Sequence, residues 1–176
     1  LERGNLKKLT IIGGGPAGYA AALYASNFDD IQTTLIESDT LGGTCLNRGC
    51  IPAKYWLHVA ELNHEILTSS DFGINIENKT FDWAATAQKR FDTVNKLVGG
   101  IGMLLKSKKV EVIEGWGSIK NNITVNVSKA DGTSQDIESD YIVLATGSKP
   151  RSIPSIEVDE EFVITSDTAL NWEQPP

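Results

Sequence analysis

The sequence predicts an α/β fold with a parallel sheet, a pair of long helices and a small antiparallel β excursion. Three observations carry this prediction. Two short apolar runs, Leu9-Thr10-Ile11-Ile12 and Tyr141-Ile142-Val143-Leu144-Ala145, read as strands of a buried parallel sheet. The first run feeds a glycine-rich turn and then a helix of small residues, Tyr19 to Ala25. Between the runs lie two helical stripes and the alternating stretch Ile123-Thr124-Val125-Asn126-Val127, followed by the hairpin signal Asp131-Gly132.

At 176 residues the chain is long enough for one domain with a proper core. Hydrophobic content of 40% and charged content of 22% are those of a soluble globular protein. A net charge of −7 argues against nucleic acid or an anionic membrane as partner. No apolar run reaches the length of a membrane span, and the opening residues from Leu1 to Lys8 lack the apolar region of a signal peptide. Leu1 to Gly4 read as an expression remnant. Two cysteines without a secretory signal suggest a reducing, cytoplasmic setting, where a disulfide is usually catalytic.

The first strand runs into Gly13-Gly14-Gly15-Pro16-Ala17-Gly18, a G-x-G-x-x-G pattern with a strand before it and a helix after it. Gly13 makes the tight turn, Gly15 lets the backbone meet a pyrophosphate, and Gly18 lets helix and strand pack closely. The pyrophosphate then sits on the helix N-terminus. Thr33-Thr34-Leu35-Ile36 forms the second strand, and Glu37 ends it 19 residues after Gly18. A carboxylate there holds the hydroxyls of an adenosine ribose. The plainer alternative for Glu37 is a solvated loop carboxylate.

A few residues later comes Leu41-Gly42-Gly43-Thr44-Cys45-Leu46-Asn47-Arg48-Gly49-Cys50-Ile51-Pro52-Ala53-Lys54, which holds the only two cysteines, with four residues between them. It reads as a loop running straight into a helix. Gly42 and Gly43 let the backbone approach a flat partner closely. Pro52 marks the first helical turn, so Cys50 lies at or just before a helix N-terminus, where the dipole favours a thiolate. Cys45 can reach Cys50 to close a small ring. Three readings compete: unpaired cysteines or a minor structural bridge, a metal site, and a catalytic dithiol. A ring this small restrains little unfolded-chain entropy, which makes stability a poor reason for it. Zinc needs two more ligands, and His58 and His64 fall about 120° from sharing a helix face. A catalytic dithiol needs an electron partner written elsewhere in the chain.

The next helix shows an apolar face at Ile51, Tyr55, Val59, Leu62 and Ile66. After a break at Ser69 to Gly73, Asp82 is the N-cap of a second long helix, with its stripe at Ala84, Ala87, Phe91, Val94, Val98, Ile101 and Leu105. The two helices are expected to pair antiparallel. His58 and His64 fall off the stripe and read as solvated, as do Lys106, Lys108 and Lys109 at the helix end. Val110 to Ile113 is a strand leading to Gly115-Trp116-Gly117. Tyr141 to Ala145, a buried parallel strand, ends in Thr146-Gly147-Ser148. Beyond Lys149 the chain reads as a surface connection, with a short strand at Phe162-Val163-Ile164 and a helical turn capped by Ser166 or Asp167.

Read together, the dinucleotide pattern, Glu37 and the glycine-framed dithiol resemble the flavin-dependent pyridine nucleotide–disulfide oxidoreductases. Gly43-Thr44-Cys45-Leu46-Asn47, Gly49-Cys50-Ile51-Pro52 and Lys54 look most like the dihydrolipoamide dehydrogenase branch. Glutathione, trypanothione and mercuric reductases share the frame but more often have Val at the positions of Leu46 and Ile51. Arg48 stands where Val is usual, and Ala53 where Ser or Lys is usual. The resemblance implies a Rossmann-like FAD-binding domain over residues 1–148 and, over 149–176, a connection toward an NAD-binding domain. At the FAD site it implies Gly13, Gly15, Pro16, Ala17 and Gly18 around the pyrophosphate, with Glu37 and Ser38 toward the adenosine. It adds Gly42, Gly43 and Thr44 beside the dithiol, a backbone contact to the adenine near Gly117, and Ala145-Thr146-Gly147 closing over the cofactor. By the same resemblance, Cys50 is expected to face the flavin in a charge-transfer pair, Cys45 to exchange with the substrate, and Lys54 to lie near the flavin N5. The substrate is then a lipoyl-bearing or other small dithiol or disulfide. The whole enzyme is expected to be a homodimer, with the second long helix flanking the subunit interface, and a candidate member of a 2-oxo acid dehydrogenase complex. The family's acid–base His and its Glu partner belong to a C-terminal domain, so neither His58 nor His64 takes that role. Turnover by these 176 residues alone is not expected. The alternatives are a glutathione- or mercuric-reductase-type member, or a flavin-binding module with an inert dithiol.

Overall fold

A computed structural model describes residues 6–174. The reading of Leu1 to Gly4 as an expression remnant lies outside these residues. The strands in chain order are β1 (Lys7–Ile12), β2 (Ile31–Glu37), β3 (Glu111–Glu114), β4 (Trp116–Asn121), β5 (Thr124–Ser128), β6 (Ser134–Glu138) and β7 (Tyr141–Leu144). The helices are α1 (Pro16–Ala25), α2 (Gly43–Arg48), α3 (Cys50–Thr68), α4 (Trp83–Ser107) and α5 (Ser166–Ala169). The chain divides into two compact units, with divisions inside α2, inside α4 and after Lys149. One takes residues up to Cys45 together with Leu97–Lys149, and the other takes Leu46–Lys96 and residues from Pro150 onward.

The first unit is built on a parallel sheet of order β3-β2-β1-β7, with an antiparallel sheet β4-β5-β6 beside it. The period-2 alternation of a strand explains why β1 and β2 read as unbroken apolar runs. Ile11 and Leu35 point to one face, into a core with Ala22 of α1 and Leu105 of α4. Ile12 and Ile36 point to the other face, against Val125 and Val127 of β5. Both faces are covered, so neither strand can spend alternate positions on polar residues. The expected α/β architecture with a small antiparallel excursion is present. Asp131-Gly132 does form the turn between β5 and β6, with the Lys129 amide donating to the Thr133 carbonyl at 2.8 Å.

The last parallel strand departs from expectation. Among the described residues β7 pairs with β1 alone, and Tyr141 and Leu144 are 59% and 62% exposed. An edge strand has one hydrogen-bonded neighbour and is covered less completely than a central one, so an apolar run here does not mean burial. Asp140 fixes its start. It accepts the Lys8 amide at 2.8 Å and the Lys7 ammonium at 2.9 Å, and these bonds hold its carboxyl below the usual range.

In the second unit, Trp83 opens α4 and stacks on Trp56 of α3, with ring centroids 4.7 Å apart. The Trp56 indole N–H donates to the Leu170 carbonyl at 3.1 Å, and Asp82 caps α4 by accepting the Ala85 amide at 2.9 Å. An apolar cavity of about 560 Å³ opens beside this stack, lined in part by Val59, Asn63 and Phe81. None of its lining residues titrates. His58 and His64 are exposed, and among the described residues no helix is long and apolar enough to cross a membrane.

Both predicted helical stripes need correction. On α3, Leu62 is half exposed and Asn63 turns inward instead. On α4, Ala84 and Phe91 face solvent, and the buried positions are Ala87, Arg90, Val94 and Leu105. Arg90 is 5% exposed and donates from Nη1 to Asn171 Oδ1 at 2.6 Å. Burial lowers its pKa, against the opposing charge of Glu173, but a guanidinium stays charged. The tail also differs. Phe162-Val163-Ile164 is not a strand, because Asp159 Oδ1 accepts the amides of Glu161, Phe162 and Val163 and so turns the chain. The N-cap of α5 is Thr165, not Ser166 or Asp167.

Two outcomes follow. Arg90→Ala is expected to cost about 2–4 kcal/mol in urea unfolding, and Phe91→Ala less than about 0.5 kcal/mol. Because the folded pKa of Asp140 is depressed, its clamp stabilises above the ordinary Asp range and is lost as pH falls through the depressed value. Asp140→Asn should therefore melt below the parent at neutral pH, and the two curves should converge on acidification.

Candidate functional site

The glycine turn after β1 is a packing solution before it is a binding motif. Gly13 has φ +108°, and a Cβ there would stand 2.2 Å from the Ala145 carbonyl oxygen. A Cβ on Gly18 would stand 1.7 Å from the Gly13 oxygen, so no other residue fits while α1 lies this close to the turn. Pro16 takes the first helical position, where its missing N–H costs nothing, and the first turn of α1 carries no acidic residue. A helix start with that polarity suits an anion. Ala145 closes the other side, its amide donating to the Ile12 carbonyl at 2.8 Å, and Gly147 turns the chain away with φ +69°. The structure thus brings Gly13, Gly18, Ala145 and Thr146 together, as the sequence suggests.

Glu37 is neither a loose carboxylate nor simply a side chain waiting for a ligand. Its Oε2 accepts the Gly14 amide at 2.6 Å and its Oε1 accepts the Asp39 amide at 2.9 Å. Each carboxylate oxygen keeps further lone-pair capacity for a hydroxyl donor. The Gly14 carbonyl in turn accepts the Gly42 amide at 2.8 Å. One residue further along both loops, Gly43 adopts φ +58°, and a Cβ on it would meet the Gly15 Cα at 2.7 Å. Two glycine-rich loops therefore lie backbone to backbone. The sequence signals the glycines but not the role of Gly14, which occupies a variable position of the motif.

The dithiol segment is more regular than expected. Cys45 sits in the short helix α2, where the sequence suggests a loop, because Gly43 supplies the turn and the buried Leu46 anchors the next residues. Both cysteines are disulfide-bonded, and with only two in the chain they are bonded to each other. Cys50 is the first residue of α3, behind the N-cap Gly49, and Pro52 is buried in the first turn. That turn has no acidic residue to offset the dipole. The end of α3 that carries Cys50 therefore favours a thiolate once the disulfide opens. Cys50 is exposed and Cys45 half-buried, and Lys54 lies one turn beyond Cys50, also exposed.

A cleft of about 750 Å³ opens beside Glu37. Ser38 and Asp39 line it with Glu111 to Gly115, and so do Lys129, Asp131 and Gln135 of the hairpin. The last three had no sequence signal beyond the turn itself. The Thr133 hydroxyl, then its amide, hold the Asp131 carboxyl below the usual range. Gly117 does not line this cleft. It packs on the sheet, where a Cβ would stand 2.9 Å from Ile12 Cγ2, and that contact alone accounts for a glycine there.

The contact between the two loops can be isolated. Gly43→Ala is expected to cost about 2–4 kcal/mol in urea unfolding, for crowding plus a left-handed alanine. Gly73→Ala, left-handed too but in open space, should cost only about 1 kcal/mol.

Residues 7–176 match the model of the pyridine nucleotide-disulphide oxidoreductase family. Dihydrolipoyl dehydrogenase of Bacillus subtilis is 35% identical over 176 residues, which cover 96% of this chain and 37% of that protein. The mitochondrial dihydrolipoyl dehydrogenase 1 of Arabidopsis thaliana is 38% identical over 170 residues, 96% of this chain and 33% of that protein. The crystal structure of LpdA from Mycobacterium tuberculosis superposes with a TM-score of 0.87 at 27% identity, covering 96% of this chain and 38% of that one. The chain thus spans about a third of the length of the relatives it matches. It belongs to the pyridine nucleotide-disulphide oxidoreductase family.

Proposed function

We propose that this chain is the first flavin-binding segment of a dihydrolipoyl dehydrogenase-type oxidoreductase, with residues 1–148 in the FAD-binding domain and 149–176 leading toward an NAD-binding domain. The observation that carries the reading is the backbone seam between the glycine turn and the loop that leads to the disulfide. The relatives' names support the same activity. The turn fits a dinucleotide, since any Cβ at Gly13 or Gly18 would be blocked and α1 opens without an acid. Gly13, Gly15, Pro16, Ala17 and Gly18 would hold the pyrophosphate of FAD, Glu37 and Ser38 the ribose, and the Gly117 backbone the adenine. Gly42, Gly43 and Thr44, with Ala145, Thr146 and Gly147, would border the ring, and Lys54 would support negative charge on it. When bound, the flavin supplies two-electron exchange between the disulfide and a nicotinamide.

The protein's own part is thiol exchange. A thiolate of the substrate dithiol attacks Cys45 Sγ, the Cys45–Cys50 bond breaks, and Cys50 leaves as a thiolate favoured by the α3 N-terminus. The second substrate sulfur then attacks the mixed disulfide and releases Cys45. The substrate ends as a disulfide, two electrons poorer, and the cysteine pair ends as a dithiol that has taken up the two electrons and the two protons the substrate gave up. The substrate class is a lipoyl group or a similar small dithiol, and NAD is the onward acceptor. A homodimer, a 2-oxo acid dehydrogenase complex and a cytoplasmic setting complete the reading. Glutathione or mercuric ion as substrate, or an inert dithiol, has less support, because the Bacillus subtilis and Arabidopsis thaliana relatives are named dihydrolipoyl dehydrogenases.

The test is an absorbance spectrum with FAD before and after anaerobic reduction by dithiothreitol. The expected outcome is bound flavin and a new long-wavelength band, lost in Cys50→Ser and present without reductant in Cys45→Ser. Flavin bound tightly with no band in any of these proteins would rule out the dithiol assignment.

A further inference from the structure

The seam between the two loops gives Glu37 a second task. Its carboxylate holds the Gly14 amide at 2.6 Å, and the carbonyl of the same residue holds the Gly42 amide at 2.8 Å. Gly14 therefore has its donor committed to the carboxylate and its acceptor to the loop that leads to Cys45. Its Cα is also boxed in, since a Cβ there would stand 3.0 Å from Glu37 Oε2 and 2.8 Å from Leu41 Cδ2. The Glu37 backbone is fixed as well, its carbonyl accepting the Gly115 amide at 2.8 Å and its strand paired with β1 and β3. An anchored carboxylate, one glycine and one amide thus form an unbroken chain of hydrogen bonds from β2 to Gly42.

We propose that Glu37 is a positioning residue for the dithiol loop, acting through Gly14 on Gly42, in addition to any contact it makes with a cofactor ribose. Without the carboxylate, the Gly14 amide has no fixed acceptor, the Gly14 carbonyl can move, and Gly42 loses a stationary acceptor. Chain positions 42 to 45 then sample more conformations, and an attacking thiolate gains access to the disulfide. The further step, that a ribose on Glu37 tightens the same relay, rests on the flavin reading. The relay itself does not.

The experiment uses the cofactor-free protein so that the two can be told apart. Amide hydrogen exchange is followed residue by residue in the parent, Glu37→Ala and Glu37→Gln, together with the rate of disulfide reduction by dithiothreitol. In Glu37→Ala the Gly42 amide, which Glu37 does not touch, should exchange about fivefold faster or more, as expected for loss of one hydrogen bond. Reduction of Cys45–Cys50 should quicken several-fold, while the core amides of Ile11 and Leu35 keep their protection. Glu37→Gln keeps one carbonyl acceptor and should fall between the two. It also carries the test if the alanine variant does not fold. Faster exchange at Gly14 with Gly42 protection and the reduction rate unchanged would overturn the relay. A parent protein that fails to bind FAD would count against the flavin reading alone.

Discussion

Gly14 is the residue on which the first unit turns. Its two hydrogen-bonding groups are used in opposite directions, the amide toward Glu37 and the carbonyl toward Gly42. A buried peptide group left unmatched costs about 1–3 kcal/mol, so this arrangement is kept by necessity once the loops are this close. It also explains why glycine recurs on both sides of the seam. Gly43 lies so near Gly15 that a Cβ on Gly43 would stand 2.7 Å from the Gly15 Cα and force the loops apart, whereas one on Gly15 would meet Gly43 at an ordinary 3.7 Å.

That seam is possible because of where the sheet places it. β1 and β2 are parallel and in register from Lys7 opposite Ile31 to Ile12 opposite Ile36, so both end at the same edge. Gly13 continues from β1 and donates to the Ile36 carbonyl at 2.8 Å, while Glu37 continues β2. Two chains leaving the carboxyl ends of neighbouring parallel strands are held about 5 Å apart, close enough for backbone to meet backbone. The same edge is where open α/β sheets hold ligands. The burial of Ile11 and Leu35 on one face and Ile12 and Ile36 on the other therefore fixes the geometry of the site as well as the core.

Most of this was legible where one residue type can do the job. Gly13, Gly18 and Gly43 sit where a Cβ would strike backbone, and a motif defined by glycines reports such constraints directly. The alternation of β5 and the turn at Asp131-Gly132 were legible for the same reason. Arg90 was not, because a helical stripe is read from apolar residues, and a buried cation that donates to Asn171 looks like a gap in it. Phe91 filled that gap on paper, although 52% of it is exposed. Phe162-Val163-Ile164 misled in another way. Its composition suits a strand, but Asp159 claims the amides that a ladder would need. The short helix α2 was hidden by its glycine start and polar composition.

The disulfide draws on two different kinds of support. A ring of six residues removes far less unfolded-chain entropy than a long loop, so cross-linking contributes little that this fold could not find elsewhere. What the local sequence does provide is an asymmetry between the two sulfurs. Cys50 opens a 19-residue helix with no acid in its first turn, whereas Cys45 lies inside a six-residue helix, partly buried. A dipole at a helix start favours the thiolate of Cys50, and in thiol exchange the better thiolate is the better leaving group. In the proposed exchange this asymmetry would direct attack to Cys45. The order of events proposed for the pair then follows from which cysteine begins α3, and Gly49 and Pro52 on either side are what make Cys50 that residue.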